Sequence, residues 1–279
     1  MNNLEMPTMI YAEVLDSCVG TMMVGEVKAS IVDARNELLD KATRYEAHGY
    51  AKSLYLMPKG NDLASLPQNS DLKNLYAGQL RRRGVAARTY YDCLISSAPH
   101  KRCPICGIGT VSTLDHYLPS SVYGYLSVLP MNLVPACRDC NTNKLDQVPA
   151  SAAEQSLHVY FDNVSGERWL FARVVPGDPP AVEYFVQAPS SFGPVLSERL
   201  GIHMTCYSLY QLFASNAGSE LAELEARLTI CARTGGSGAV QRYLREEAGL
   251  QEGLKRNSWK TALYDSLACS EWFCSRFSC

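Results

Sequence analysis

The sequence predicts an α+β protein, a mostly helical chain that carries one small strand–strand–helix unit on a four-cysteine zinc site, followed by a β-hairpin. Three observations predict it. Apolar residues recur at helical spacing on both sides of the middle of the chain. Two Cys-x-x-Cys pairs, Cys103/Cys106 and Cys137/Cys140, stand 30 residues apart, farther than in a short zinc ribbon. After Pro149, two apolar or alternating runs flank a Pro/Gly turn. The 279 residues suffice for one large or two modest domains, and a 47% hydrophobic content supplies a core.

Composition excludes some functions. A net charge of −2, from 26 basic and 28 acidic residues, rules out a basic nucleic-acid coat, so any nucleic-acid contact must come from a local patch. No apolar run approaches the ~18 residues that a membrane span needs. Outside the two pairs, Cys18, Cys93, Cys206, Cys231, Cys269, Cys274 and Cys279 are odd in number and irregular in spacing. With no signal peptide, they read as reduced thiols of a cytoplasmic protein. Cys269, Cys274 and Cys279 recur every five residues, as free thiols in preference to a second metal or redox site.

In chain order, residues 1–25 are poorly defined, with Met6-Pro7, Gly20 and Gly25 as punctuation. A helix is expected over 26–48, where Ile31, Ala34, Leu38, Leu39, Ala42 and Tyr45 share a face. Residues 57–71 read as loop. Residues 73–98 read as helix in one or two pieces around Gly84. From 73 to 102 there are seven basic residues (Lys73, Arg81, Arg82, Arg83, Arg88, Lys101 and Arg102) against one acid, Asp92. Such a run is either a solvated face or a phosphate clamp, to which Arg138 and Lys144 would add. Tyr90 and Tyr91 would pack in the core or stack on bases.

A hairpin over about 101–114 would deliver Asp115-His116 at the end of its second strand, and residues 117–131 would shape a groove. A helix from Cys137 would place Asn141 in its first turns. Beyond it, His158 and Asp162 read as structural in preference to catalytic. Residues 168–174 and 181–187 form the hairpin, and residues 195–232, 239–249 and 257–273 read as helices. Gly235–Gly238 is a break and not a phosphate loop, since it lacks the Lys-Ser/Thr of one. Trp259, Tyr264, Trp272 and Phe273 are core or partner-facing. The segments are thus a helical region 1–98, a zinc unit 99–150, and a hairpin-plus-helices region 151–279.

Each Cys-x-x-Cys knuckle offers two thiolates on a tight turn, and four thiolates make a tetrahedral structural zinc site. A lone His116 would be an ordinary half-buried histidine, but it has company. Asp115 and Asn141 are hard oxygen donors suited to Mg²⁺ or Mn²⁺, which need few protein ligands. His116, titrating near neutrality, could then deprotonate water.

The order Cys-x-x-Cys, Asp115-His116-x-x-Pro119, Asn132, then Cys-x-x-Cys140-Asn141-x-x-Lys144 resembles the HNH endonucleases, whose ββα-metal fold it implies. The close resemblance covers about 42 of the 279 residues. It implies that His116 is the general base, that Asn132 steadies the loop and orients that base, and that Asn141 binds the catalytic cation with Asp115. Asn143 is an alternative ligand, but the Asn-x-x-Lys spacing favours Asn141. The third motif residue is Asn and not His, a variant that occurs in active members, including the HNH domain of CRISPR nucleases. Adjoining segments resemble, more loosely, nuclease subunits of bacterial antiphage systems such as Septu. That implies a partner ATPase of the ABC/SMC kind. Cleavage of DNA in preference to RNA is the expectation; an RNA-cleaving toxin, or a zinc module that binds without cutting, is the alternative.

Overall fold

The computed structural model of the chain describes residues 2–277, so Cys279 of the C-terminal cysteine series lies outside the described residues. The chain divides into two compact units, Asn2–Asn163 and Val164–Cys279.

The first unit begins with α1 (Tyr11–Gly20), α2 (Glu26–Asp33) and α3 (Arg35–Tyr50). α1 corrects the expectation of an ill-defined start. Tyr11, Val14, Leu15, Cys18 and Val19 form a buried stripe at helical spacing, which the flanking Met6-Pro7 and Gly20 obscure in the sequence. The helix expected over 26–48 is two helices. Ala34, at φ −79° and ψ 0°, interrupts it, while Ile31, Leu38, Ala42 and Tyr45 stay buried. α4 (Asn69–Leu75) starts inside the expected loop and runs into a π-helical turn, Tyr76–Leu80. Gly84, at φ +79°, separates that turn from α5 (Arg88–Ser96).

Next come β1 (Thr113–His116), β2 (Leu133–Ala136) and α6 (Arg138–Lys144). The strands are antiparallel, paired Thr113↔Ala136, Leu114↔Pro135, Asp115↔Val134 and His116↔Leu133. The hairpin expected over 101–114 shrinks to one bridge, Arg102↔Thr110. Its residues are committed to the knuckle turn, where Gly107 takes φ +74°, so β1 pairs across the 117–132 loop instead. The expected segments 1–98 and 99–150 lie in one unit. It extends to Asn163 because Leu157, His158, Val159, Tyr160 and Phe161 are all buried in its core.

The second unit holds β3 (Leu170–Val175) and β4 (Ala181–Val186), paired antiparallel from Leu170↔Val186 to Val175↔Ala181. On β4, Val182 and Tyr184 face inward while Glu183 and Phe185 face out, the period of two that marked this hairpin in the sequence. Then follow α7 (Gly193–Cys206), α8 (Leu209–Leu254), α9 (Trp259–Cys269) and α10 (Glu271–Ser275). α8 loses helical geometry at Gly235 and Gly236, where the sequence placed its break. The Ser258 hydroxyl caps α9 by accepting from the Thr261 amide.

Asn257 joins hairpin and helices. Its Oδ1 accepts from the Trp169 and Leu170 amides, and its Nδ2 donates to the Val164 and Glu167 carbonyls. Asn257→Ala should cost about 1–3 kcal/mol for each buried group left unpaired. Urea denaturation of the full chain would register that loss, and an unchanged midpoint would show that the clamp does not hold.

Candidate functional site

The sulfurs of Cys103, Cys106, Cys137 and Cys140 all lie within 4.8 Å of one another, and all four residues are buried. Zn–S bonds of ~2.3 Å in a tetrahedron require S···S spacings of about 3.8 Å. Cys106 and Cys137 stand at 3.9 Å. The Ile108 and Gly109 amides donate to Cys106 Sγ at 3.4 and 3.3 Å, as a knuckle thiolate needs. A Cβ on Gly109 would fall 2.6 Å from Cys137 Cβ, so only glycine lets the two knuckles close. The crowding drives the thiols apart in acidity. Hydrogen bonds with Cys103, then Cys137 and Cys140, pull Cys106 down, and those with Cys103, Cys106 and Cys137 push Cys140 up. A zinc ion, by taking four thiolates at once, removes that conflict, so donor set and geometry both fit it.

The zinc-binding end and His116 lie at opposite ends of one short ladder. Four strand residues span about 10 Å. Ala136 leads into Cys137 at one end, while His116 faces Leu133 at the other. α6 then runs back. Its seven residues cover about 10 Å, from Cys137 and Cys140 beside the sulfurs to Lys144 beside His116. A zinc ion held by the four sulfurs would therefore lie about a ladder's length from His116.

His116 is half-buried. Its Nε2 lies 2.9 Å from the Ser127 carbonyl oxygen, which can only accept. Nε2 thus carries the proton, and Nδ1 keeps the lone pair. The Tyr76 ring packs edge-on to the imidazole, centroids 4.5 Å apart, and its hydroxyl donates to the Leu114 carbonyl. Burial pushes the His116 pKa down to about 4; the bond to Ser127 opposes this, while Lys144 and Lys73 add to it. The ring is neutral at pH 7 and able to accept a proton.

Asp115 is 5% exposed. Its Oδ1 meets Lys144 Nζ at 3.2 Å, while Oδ2 is buried with no hydrogen-bond partner among the described residues. Burial raises the carboxyl pKa, and Lys144 opposes the rise. Lys144, 3% exposed, also donates to the His116 carbonyl. This corrects its expected role, because an ammonium enclosed between Asp115 and His116 is not a phosphate contact. Asn141 sits one turn before Lys144 on the same face of α6 and is half-buried.

Asn132 is wholly buried and fully engaged. Its Oδ1 accepts from the Leu118 amide and the Tyr45 hydroxyl, and its Nδ2 donates to the Leu118 and Leu126 carbonyls. It holds the 117–132 loop and touches no substrate-accessible surface. Of the expected phosphate contacts, Arg81, Arg82, Arg83, Lys101, Arg102 and Arg138 are exposed. Arg88 is not available as one. It is paired to Asp92, bonded to the Arg81 carbonyl and stacked 4.3 Å above the Tyr91 ring. Tyr91 is core.

The chain is 30% identical over 293 aligned residues to Protein ea31 of Escherichia phage lambda, covering 98% of this chain and 99% of that protein. This chain belongs to the ea31 family. No protein-family model matches it, and no solved structure does. Among the described residues, no helix is long and apolar enough to cross a membrane. The family name carries no activity, so chemistry has to be argued from the site.

Three residues outside the cysteine motif complete this ea31-family site. Tyr45 hydroxyl donates to Asn132 at 3.0 Å and lies 3.2 Å from His158 Nε2. His158 Nδ1 accepts from the Tyr160 amide, so Nε2 is the protonated nitrogen and donates to Tyr45. His158 is structural, and Asp162 caps its amide while pairing with Lys52. Tyr76 buttresses His116. In the sequence, Tyr45 was legible only as a core position, and Tyr76 carried no signal.

Purified protein should contain one zinc per chain by elemental analysis. Cys137→Ser should lose most of it and lower the melting temperature sharply, since structural zinc contributes folding energy directly. The exposed control Arg138→Ala should stay within about 0.5 kcal/mol of wild type. Full zinc and an unchanged melting temperature in Cys137→Ser would exclude the four-thiolate site. In a second test, Tyr45→Phe removes the buried hydroxyl that bridges Asn132 and His158 and should cost about 1–3 kcal/mol in chemical denaturation.

Proposed function

We propose that residues 99–150 form a metal-dependent HNH-type endonuclease that hydrolyses phosphodiester bonds, in DNA by preference over RNA. The observation that carries this reading is His116. Its Nε2–H is fixed on the Ser127 carbonyl, which leaves Nδ1 as the basic nitrogen, and the residue before it in β1, Asp115, carries a buried carboxylate oxygen with no hydrogen-bond partner among the described residues. Nothing in a purely structural zinc loop calls for that pairing.

In this reading Nδ1 takes a proton from water, and the hydroxide attacks phosphorus as the bond to the leaving oxygen breaks. The depressed basicity of His116 keeps the ring unprotonated before the step. Tyr76 and Ser127 hold the ring in place, and Asn132 keeps the Ser127 loop in register through Leu118 and Leu126. Asp115 Oδ2 and the Asn141 amide are the two hard oxygen donors that would hold Mg²⁺ or Mn²⁺. Such a cation supplies charge stabilisation on the phosphate and leaving oxygen. The zinc stays structural.

The Lys144–Asp115 pair favours a second reading, a zinc module that binds nucleic acid without cutting, with the ammonium standing where a cation would. The partner ATPase of the ABC/SMC kind remains part of the nuclease reading. Co-purification tests it, because a fully active chain with no partner would argue against it.

The deciding assay is cleavage of plasmid DNA and of RNA with Mg²⁺ or Mn²⁺. His116→Ala should lose about 10²–10⁴-fold in rate, the usual worth of a general base, with zinc content and melting temperature unchanged. Asn141→Ala should raise the Mg²⁺ concentration needed, again with zinc retained. Wild-type rates in His116→Ala would refute the assigned base. Absence of cleavage with bound zinc, together with no Mn²⁺ binding, would leave the binding module standing.

A further inference from the structure

An open groove of about 600 Å³ lies beside α4, lined by Asn61, Gln68, Asn69, Ser70, Lys73 and Ser121 among others. Its walls are fastened. Asn69 Nδ2 donates to the Ser121 carbonyl at 2.8 Å, and its Oδ1 accepts from the Gly124 amide. The Gly60 amide donates to the Val122 carbonyl at 2.9 Å, closing the same rim. The wall is also tied to His116. Ser127 Oγ donates to the Leu72 carbonyl at 2.6 Å, and the Ser127 carbonyl accepts from His116. A shift of α4 would therefore move the imidazole's own anchor.

Lys73 lines this groove, is exposed, and has no ion-pair partner among the described residues. It stands one helical turn before Tyr76, whose ring covers His116. On the other side of Tyr76, the Arg81 guanidinium lies 6.0 Å above the same ring. Arg82 and Arg83 follow, both exposed. Two cationic positions thus flank Tyr76, the residue whose ring packs on His116, and one of them opens into the groove. The Ser121 hydroxyl has no hydrogen-bond partner among the described residues.

We infer that this groove seats a nucleotide-length stretch of a single nucleic-acid strand next to the scissile phosphate, with the Lys73 ammonium on its backbone phosphate. The inference rests on the nuclease reading for what lies at His116, and it names how the substrate enters. A cleft of ~300–1,000 Å³ is sized for a nucleotide-scale ligand and not for a duplex. Its lining is mixed, with one ammonium, Lys73, and amide and hydroxyl groups for a phosphate backbone, and Leu63, Leu66 and Pro67 as apolar surface for a base. The strand would pass from the Lys73 groove across His116 toward Arg81–Arg83.

The test uses full-length His116→Ala, so that binding is read without cutting, and a short fluorescein-labelled single-stranded oligodeoxynucleotide in an anisotropy titration. Adding Lys73→Glu should weaken binding about tenfold and lower the slope of log K against log salt by about 1. Adding Arg44→Glu, an equivalent reversal on the exposed face of α3, should leave affinity and slope unchanged. Melting temperatures of both variants should match the parent. Equal affinity in Lys73→Glu and its parent overturns the groove assignment, and wild-type cleavage then judges the nuclease reading separately. If wild type cuts nothing yet Lys73→Glu still loses affinity, the nuclease reading falls and the groove stands as a strand-binding site. A parent that binds no oligonucleotide overturns the inference.

Discussion

Four sulfurs within 4.8 Å of one another are the constraint on which the Asn2–Asn163 unit depends. Two come from a knuckle before β1 and two from the start of α6. Bringing them together fixes where β1 begins and where β2 ends, and the antiparallel register follows. A two-stranded ladder of four residues has little stability of its own in water. A zinc ion held by the four sulfurs would add the folding energy that so short a ladder lacks. Once the ladder is fixed, His116 stands at its far end and α6 can reach it only with its last turn.

A second, polar constraint holds the loop between the strands. Residues 117–132 leave β1 and return to β2, and their backbone groups must be satisfied inside the protein. Asn132 does this with one amide. It closes Leu118 and Leu126 onto itself and is held in turn by the His158–Tyr45 pair. The network joins α3, the loop and the 158–162 segment, which are far apart in sequence. It also explains why the helical N-terminal region belongs to the same unit as the zinc knuckles. The N-terminal helices frame the loop that carries the Ser127 carbonyl, and that carbonyl decides which nitrogen of His116 is protonated.

Local patterns were legible in the sequence, and what depends on the meeting of distant segments was not. The four cysteines, the β3–β4 hairpin and the Gly235–Gly236 break were readable because spacing, alternation and glycine each act within a few residues. The position of Asn141 on α6 was readable for the same reason. α1 was hidden because short helices with a proline before them and a glycine at their end resemble loops by composition. Lys144 and Arg88 were read as phosphate contacts because charge in a sequence says nothing of burial. One is sealed against Asp115, and the other is spent on Asp92, a carbonyl and the Tyr91 ring. Tyr76 and Asn69 carried no signal, since their importance lies only in what packs against them.

The Asp115–Lys144 pair is the point where structure and proposed chemistry press on each other. Both charges are almost entirely out of water, and a buried ion pair is held at a desolvation cost that its own attraction barely offsets. Lys144 is otherwise well served, because the His116 carbonyl accepts a second of its protons. Asp115 is not, because Oδ2 has no donor among the described residues. A carboxylate half-satisfied at such depth is costly unless something cationic or hydrogen-bonding completes it. Lys144 cannot do so while it is bound to Oδ1 and to the strand carbonyl. On the nuclease reading that oxygen would take a cation, and the amide of Asn141, on the same face of α6 as Lys144, suits an oxygen-loving one. In the proposed nuclease the lysine would orient the carboxylate, pinning one oxygen and leaving the other for the ion; in the binding-module reading its ammonium would itself be the cation of the site.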